Sequence, residues 1–236
     1  MAEWMERTEL LLGAEKIARI RQAHVLVVGV GGVGAYAAEM LVRAGVGHLT
    51  LLDADKVQES NINRQLCALH STIGEQKVQV LSQRFKDINP DLQLTVHAMY
   101  LEESAVSSLL ENGSFDFIID AIDTIAPKCA LIIESMRRGI RIVSSMGAGA
   151  KTDITQVHFA DLWDTYHCGL SKAVRTRLKK EKMQRPLPVV FCSQQADMNA
   201  VIKIEGERNK KTTTGTVSYM PAVFGCYLAQ YVINRL

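Results

Sequence analysis

The sequence predicts an α/β fold: a doubly wound, Rossmann-like and mostly parallel sheet with a small antiparallel extension in the C-terminal third. Three observations predict it. Short runs rich in valine, leucine and isoleucine alternate with helical patterns over residues 24–145, as expected when buried parallel strands are joined by helices on both faces. The first such run passes directly into a glycine-rich turn, Gly29-x-Gly31-Gly32-x-Gly34. After Gly147 the pattern changes to shorter alternating stretches, one basic helix and a polar segment.

The elements follow in order. His24 to Val30 (HVLVVGV) is apolar and valine-rich, so it is expected as a buried strand. Ala35 to Arg43 has helical apolar spacing, and His48 to Asp53 is a second strand. Gln76 to Ile88 is a helix stopped by Asn89-Pro90, followed by a strand over Leu92 to His97. Phe115 to Ala121 is a fourth strand, Ala126 to Arg138 a helix and Ile140 to Ser145 a fifth strand. Ile154 to Phe159 alternates like a half-exposed strand, and Ser171 to Lys182 is a basic helix. VVFCS after Pro188 and Ala200 to Ile204 are further strands, while Arg208 to Gly215 is expected as a mobile loop. A C-terminal helix, Val223 to Arg235, should pack back on the core. One domain over 1–236 results, with a core over 1–150, a small lobe over 151–218 and the terminal helix over 219–236.

The chain has 236 residues, 47% of them hydrophobic and 22% charged, which suits one globular core. No apolar run reaches the roughly 18 residues that a membrane span needs. The start of the sequence has no signal-peptide core, so a cytoplasmic protein without membrane association is expected. Five scattered cysteines with no CxxC pair argue against a disulfide framework and a structural zinc. The net charge of +2 is uneven: residues 151–236 hold 13 basic and 7 acidic side chains. A basic C-terminal part suits a polyanionic partner.

The glycine turn lets backbone approach closely and opens a helix whose N-terminal amides and dipole suit phosphates. Asp53, at the end of the second strand, is placed to take a ribose hydroxyl. These features alone fit an NAD-dependent dehydrogenase equally well. The series that follows is more specific: Asp53-x-Asp55, Asn61-x-Asn63-Arg64-Gln65, Gly74-x-x-Lys77 and Asp120-x-x-Asp123. Cleaving ATP between its α- and β-phosphates needs fixed cations as charge moves onto pyrophosphate. Arg64 can grip phosphate oxygens through two N–H groups, and Lys77 can add a point charge. Asp123 suits Mg²⁺, which takes one or two carboxylates plus phosphate oxygens. Asn61, Asn63 and Gln65 can fix ribose, phosphate or an attacking carboxylate. The candidate nucleotide set is thus Gly29, Gly31, Gly32, Gly34, Asp53, Asp55, Asn61, Asn63, Arg64, Gln65, Lys77, Asp120 and Asp123. Taken singly, Arg64 and Lys77 also suit surface cations and Asp120 a turn cap.

The series resembles the ThiF, MoeB and ubiquitin-activating-enzyme superfamily over nearly the whole chain. Longer stretches resemble one branch, the tRNA threonylcarbamoyladenosine dehydratases: RTELLLGAEKI from Arg7, NINRQLCALHSTIG from Asn61, INPD from Ile88, DAIDT from Asp120, SSMGAGAKTDIT from Ser144 and CGLSKAVRTRLKK from Cys168. The resemblance implies that ATP adenylates the threonyl carboxylate of the modified adenosine beside the tRNA anticodon. A carbamoyl nitrogen then closes a hydantoin ring and AMP leaves, a net loss of water. It also implies ATP and Mg²⁺ roles for the matching residues, with Arg64, Lys77 and Asp123 catalytic. Arg7 matches an arginine that reaches the phosphates from the other subunit of a homodimer. Some family members have a cysteine in the segment matching Lys211 to Thr216, used with a sulfur-relay partner; here it is KTTTGT. Cys168, ahead of the basic helix, has a lowered pKa if it sits at the helix N-terminus.

Two other functions use parts of the same pattern. Activation of a ubiquitin-like sulfur carrier protein uses the same ATP chemistry, and a nucleotide-regulated binding module would use only the pocket. The cations Lys172, Arg175, Arg177, Lys179, Lys180 and Lys182, with Arg185, Arg208, Lys210 and Lys211 beyond, favour tRNA as partner.

Overall fold

A computed structural model describes residues 3–183, 186–203 and 212–236. Its centre is a seven-stranded sheet in the order β3-β2-β1-β4-β5-β7-β6. Here β1 is His24–Val28, β2 His48–Leu52, β3 Gln93–His97, β4 Phe117–Asp120, β5 Ile142–Ser145, β6 Val157–Asp161 and β7 Pro188–Cys192. Every pairing is parallel except β6 with β7. The alternation of side chains along the strands divides the core in two. Val25 and Val27 face a cluster that includes Leu41, Phe85 and Phe224, while Leu26 and Val28 face one that includes Ile132, Val174 and Phe191. Helices therefore cover both faces, which accounts for strands that are apolar throughout.

The helices are α1 (Glu6–Leu12), α2 (Ala14–Gln22), α3 (Gly34–Arg43), α4 (Lys77–Ile88), α5 (Val106–Asn112), α6 (Ile125–Arg137), α7 (Gly169–Lys180) and α8 (Tyr219–Ile233). The small residues of α3 let α8 come close. A Cβ on Gly225 would lie 2.5 Å from the Val33 carbonyl oxygen and 2.7 Å from the Tyr36 Cβ. On the other side of α3, Glu39 is buried and accepts hydrogen bonds from Arg43 at 2.9 Å and from Arg84 of α4 at 2.6 and 3.0 Å. Burial pushes its carboxyl up, but the arginine bonds outweigh burial and hold it below the ordinary carboxylate range.

Four expectations need correction. The segment after Gly147 forms less of a separate lobe than its composition suggests. β6 and β7 extend the main sheet, and among the described residues only β8 (Val201–Lys203) and β9 (Thr212–Thr214) form a separate antiparallel pair. Thr212 to Thr214, expected inside a mobile loop, is thus a strand, favoured by three β-branched residues in a row; residues 208–211 lie outside the described segments. Residues 154–156 form a 3-10 turn capped by Asp153, so the strand starts at Val157 instead of Ile154. Finally, α8 starts at Tyr219, four residues before the expected Val223. Pro221 falls in its first turn, where its missing N–H costs no helical bond.

Candidate active site

The strand order turns back between β1 and β4. In open parallel sheets, the crevice outside the carboxyl ends of two such strands binds ligands. Here Gly29 follows β1 with φ +84° and donates its N–H to the Leu52 carbonyl at 2.8 Å. A Cβ on Gly29 would lie 2.8 Å from the Ala121 carbonyl oxygen, just beyond β4, and one on Gly34 would lie 1.8 Å from the Gly29 carbonyl oxygen. The turn is therefore wound so tightly that side chains do not fit. Gly34→Ala should force it open and cost about 3 kcal/mol, the upper end for overpacking. In a chain of this size that lowers Tm by roughly 6–12 °C, measured by thermal melting; a Tm within 2 °C of wild type, roughly the scale of a 1 kcal/mol change, would refute the tight-turn account. No side chain caps the N-terminus of α3, whose first turn continues from Gly31 and Gly32. This end of the helix thus keeps amide donors for an anion.

The second strand secures the turn. Asp53 accepts from the Val30 N–H at 2.7 Å with one oxygen and from the Asp55 N–H at 2.8 Å with the other. Burial raises its pKa above the usual aspartate value; Lys77 and these two amides counteract that only in part. Asp53 is thus first a clasp between turn and strand end, with lone pairs remaining for a ribose hydroxyl. Lys77 opens α4, is buried, and places its Nζ 2.7 Å from Asp55 Oδ2. The cation is thereby fixed beside Asp53, and Asp55 serves as its anchor.

The segment Asn61-Ile-Asn63-Arg64-Gln65 wraps over the turn. Asn61 is buried, accepts from the Gln58 N–H at 3.1 Å, and its carbonyl receives the N–H groups of Arg64 and Gln65. That tight turn brings the Arg64 carbonyl to 3.4 Å, and the Gln65 side-chain nitrogen to 3.6 Å, from the points where Gly32 and Gly31 would carry a Cβ. Among the described residues, Gln65 Oε1 is buried without a hydrogen-bond partner, an unsatisfied acceptor at the glycine turn that favours a polar ligand there. The Arg64 guanidinium is held by the Ser60 carbonyl at 2.9 Å and Asn63 Oδ1 at 2.7 Å. Asn63 in turn donates to the Thr216 carbonyl at 2.9 Å. Pro221 of α8 closes the far side, 3.1 Å from the position of a Gly32 Cβ.

The loop after β4 brings a correction. Asp120 is fully buried, paired with Lys128 of α6 at 2.8 Å, and accepts from the Ser144 hydroxyl at 2.6 Å and the Ile122 N–H at 3.1 Å. It lies beneath the crevice and supports the strand end, so it is not placed to contact nucleotide. Lys128 also donates to the Ile122 carbonyl at 2.9 Å. Sequence reasoning missed Lys128, although a lone lysine inside the apolar run of α6 was the available signal. Asp123 stands exposed at the top of this supported loop, with the Thr124 hydroxyl 3.2 Å away. The donor set fits a magnesium nucleotide: one exposed carboxylate at a strand end, with phosphates to complete the coordination. Among the described residues, no cluster of three or more His, Cys, Asp or Glu side chains could hold a metal by itself.

Arg7 lies exposed on α1. Two residues earlier, the Met5 side chain approaches Gly45, beyond the C-terminal end of α3. The ten residues of α3 span about 15 Å, so Arg7 starts from the end of α3 opposite its own glycine turn. Cys168 is the N-cap of α7, and its Sγ accepts from the Ser171 N–H at 3.5 Å. Burial pushes this thiol up, but donors at Ser171 and Gly147 and the charge of Lys151 outweigh it and leave the pKa below that of an ordinary cysteine. Cys129, in contrast, is buried among apolar side chains and pushed up to about 11.

The basic helix is more differentiated than its sequence suggests. Arg175 turns inward and donates to the carbonyls of Leu162 and Thr165 at 3.1 and 2.9 Å, so it staples α7 to the preceding turn and is removed from the RNA-facing set. Arg177 is paired with Glu103 at 2.5 Å, and the Lys179 ammonium lies 6.0 Å from the centre of the Trp163 ring. Lys172, Lys180 and Lys182 are exposed. Arg185, Arg208, Lys210 and Lys211 lie outside the described residues. No helix among the described residues is long and apolar enough to cross a membrane.

A glycine turn clasped by an acid, facing an arginine-bearing loop at the switch point of a parallel sheet, defines a nucleotide-binding protein of the ThiF type. Residues 6–236 match the ThiF family model, and the chain belongs to that family. Within it, the chain groups with the tRNA threonylcarbamoyladenosine dehydratases. It is 37% identical to that enzyme of Bacillus subtilis, covering 100% of this chain and 95% of the relative, and 36% identical to that of Haemophilus influenzae, covering 94% and 88%. The solved structure of the Escherichia coli dehydratase TcdA in complex with ATP superposes with a TM-score of 0.89 at 31% identity, over 100% of this chain and 95% of that one.

Proposed function

We propose that this protein uses ATP to cyclise threonylcarbamoyladenosine in tRNA, with net loss of water. One threonyl carboxylate oxygen attacks the α-phosphorus and pyrophosphate leaves, giving an acyl-adenylate. The carbamoyl nitrogen then attacks the activated carbonyl carbon, its proton is lost to solvent, and AMP leaves as the hydantoin ring closes. The chain's task is largely positional. The glycine turn and the N-terminus of α3 cradle phosphate oxygens, Arg64 and Lys77 meet the charge that grows on the departing pyrophosphate, and Gln65 fixes an oxygen beside the turn. Asp123 would hold Mg²⁺, which would neutralise phosphate charge. The observation that carries this reading is end-to-end similarity to the dehydratases together with Arg64 and Lys77 beside the glycine turn.

Arg7 would complete the phosphate clamp from a second copy of the chain. Supporting this, α1 buries none of its residues, and its Leu10 and Leu11 are 81% and 83% exposed, a face suited to a homodimer. Reduced thiols throughout and a tRNA substrate agree with a cytoplasmic site. Activation of a carrier protein uses the same ATP machinery, and a sulfur-relay partner fits neither better nor worse with Cys168 at its N-cap.

The test is incubation with ATP, Mg²⁺ and tRNA carrying the open modification, followed by mass analysis of the nucleosides. Loss of water from the modified nucleoside, with matching AMP release, is expected. Pyrophosphate release in response to a carrier protein and none in response to tRNA would sink the reading.

A further inference from the structure

Beside the crevice, α6 and α7 enclose an open groove of about 440 Å³. Ile125 forms one wall and is 42% exposed. Ala173 and Thr176 form the other, with Lys172 and Lys180 at the rim and Arg177 behind. No Asp or Glu lines it. At the mouth, a Cβ on Gly169 would meet nothing within 4 Å, so the groove stays open there. Two features tie it to the active site and to an anion. Ile125 is two residues from Asp123, so their Cα atoms are at most about 7 Å apart. And the cations on this face differ in commitment: Arg177 is spent on Glu103, whereas among the described residues no carboxylate pairs with Lys172 or Lys180.

Lys172, Thr176 and Lys180 are four residues apart and share one face of the helix. The two ammonium-bearing positions are therefore about 12 Å apart along its axis. Apolar walls with phosphate-binding cations at both ends suit one nucleotide of a single strand, whose base packs on an apolar surface and whose backbone is held by charge. A free anion would need no apolar wall, and an acidic peptide would have no carboxylate-matching fork here, because Arg175 and Arg177 are both engaged.

We propose that this groove receives the nucleotide next to the reacting one in the substrate RNA. Its base lies against Ile125 and Ala173, and its flanking phosphates lie on Lys172 and Lys180. The inference rests on the tRNA reading above and adds where the strand runs.

Two doubly substituted proteins with the same net charge test it: Lys172→Ala with Lys180→Ala, in the groove, and Arg19→Ala with Arg21→Ala, two exposed cations of α2 outside the RNA-facing set. Affinity for tRNA bearing the open modification is measured from low to moderate salt, alongside ATP affinity and a thermal melt. The groove variant should bind roughly tenfold or more weakly at low salt, with a salt slope smaller by about 1.4, the value for two phosphates on a single strand. Its ATP affinity should stay at the wild-type value, and the other variant should lose at most about threefold. Equal losses in both variants would reduce the effect to the protein's general charge and overturn the groove, as would wild-type binding by the groove variant. Wild-type protein that cyclises tRNA while both variants behave alike removes the groove alone; wild-type protein that neither binds nor cyclises tRNA removes the functional reading with it.

Discussion

Arg64→Ala should lower the rate of ATP-dependent adenylation by about 10²–10³-fold, the effect of removing one preorganised group aimed at developing charge. The reason lies in how the side chain is held. Its guanidinium is already oriented by the Ser60 carbonyl and by Asn63, so little reorganisation is needed when phosphate arrives. Because Arg64 is only partly buried and those partners are near the surface, the substitution should change stability by less than about 1 kcal/mol. Arg64→Lys should recover only part of the rate, since an ammonium keeps the charge but loses the planar fork. The measurements are pyrophosphate release with saturating tRNA and a thermal melt of each variant. Activity within threefold of wild type for Arg64→Ala would remove this residue from the reaction.

The second large effect is on stability. Lys128→Met should cost about 3–5 kcal/mol, because it strands the Asp120 carboxylate in a fully buried position. Asp120 would keep the Ser144 hydroxyl and the Ile122 amide, but its charge would be uncompensated. Adding Asp120→Asn to Lys128→Met should recover part of the loss, since a neutral amide needs no counter-ion. Urea unfolding of the three proteins provides the comparison. A loss below about 1 kcal/mol for Lys128→Met would mean that water or another cation reaches Asp120, and the pair would have no structural weight. The pair also fixes the loop that carries Asp123, since Lys128 holds the Ile122 carbonyl. The surviving folded fraction of Lys128→Met should therefore bind ATP with Mg²⁺ more weakly than wild type.

These two residues illustrate how differently the site could be read in advance. Arg64 lies in a pattern, Asn-x-Asn-Arg-Gln, whose residue types point to phosphate chemistry wherever the chain places them. Lys128 carries no pattern, and its role exists only because α6 packs against the end of β4. Asp120 shows the converse: its motif suggests a ligand contact, but the acid is enclosed by Lys128 and Ser144 from two other elements.

The order of strands and helices, the glycine turn and the residue types around it were legible in the sequence, because backbone preference and alternation of apolar residues are local properties. Gly34 had to be glycine to let the turn pass 1.8 Å from where a Cβ would lie, and that requirement shows as a motif. Only the tertiary structure decided which charges are left uncommitted. Arg175, Arg177 and Lys179 are as basic in sequence as Lys172 and Lys180, but each meets a carbonyl, a carboxylate or a ring from outside its own helix. The same holds for β6 and β7, whose residue types mark them as strands but not as an extension of the main sheet. Pairing partners and the burial of charge depend on what the rest of the chain brings alongside, and no local pattern encodes that.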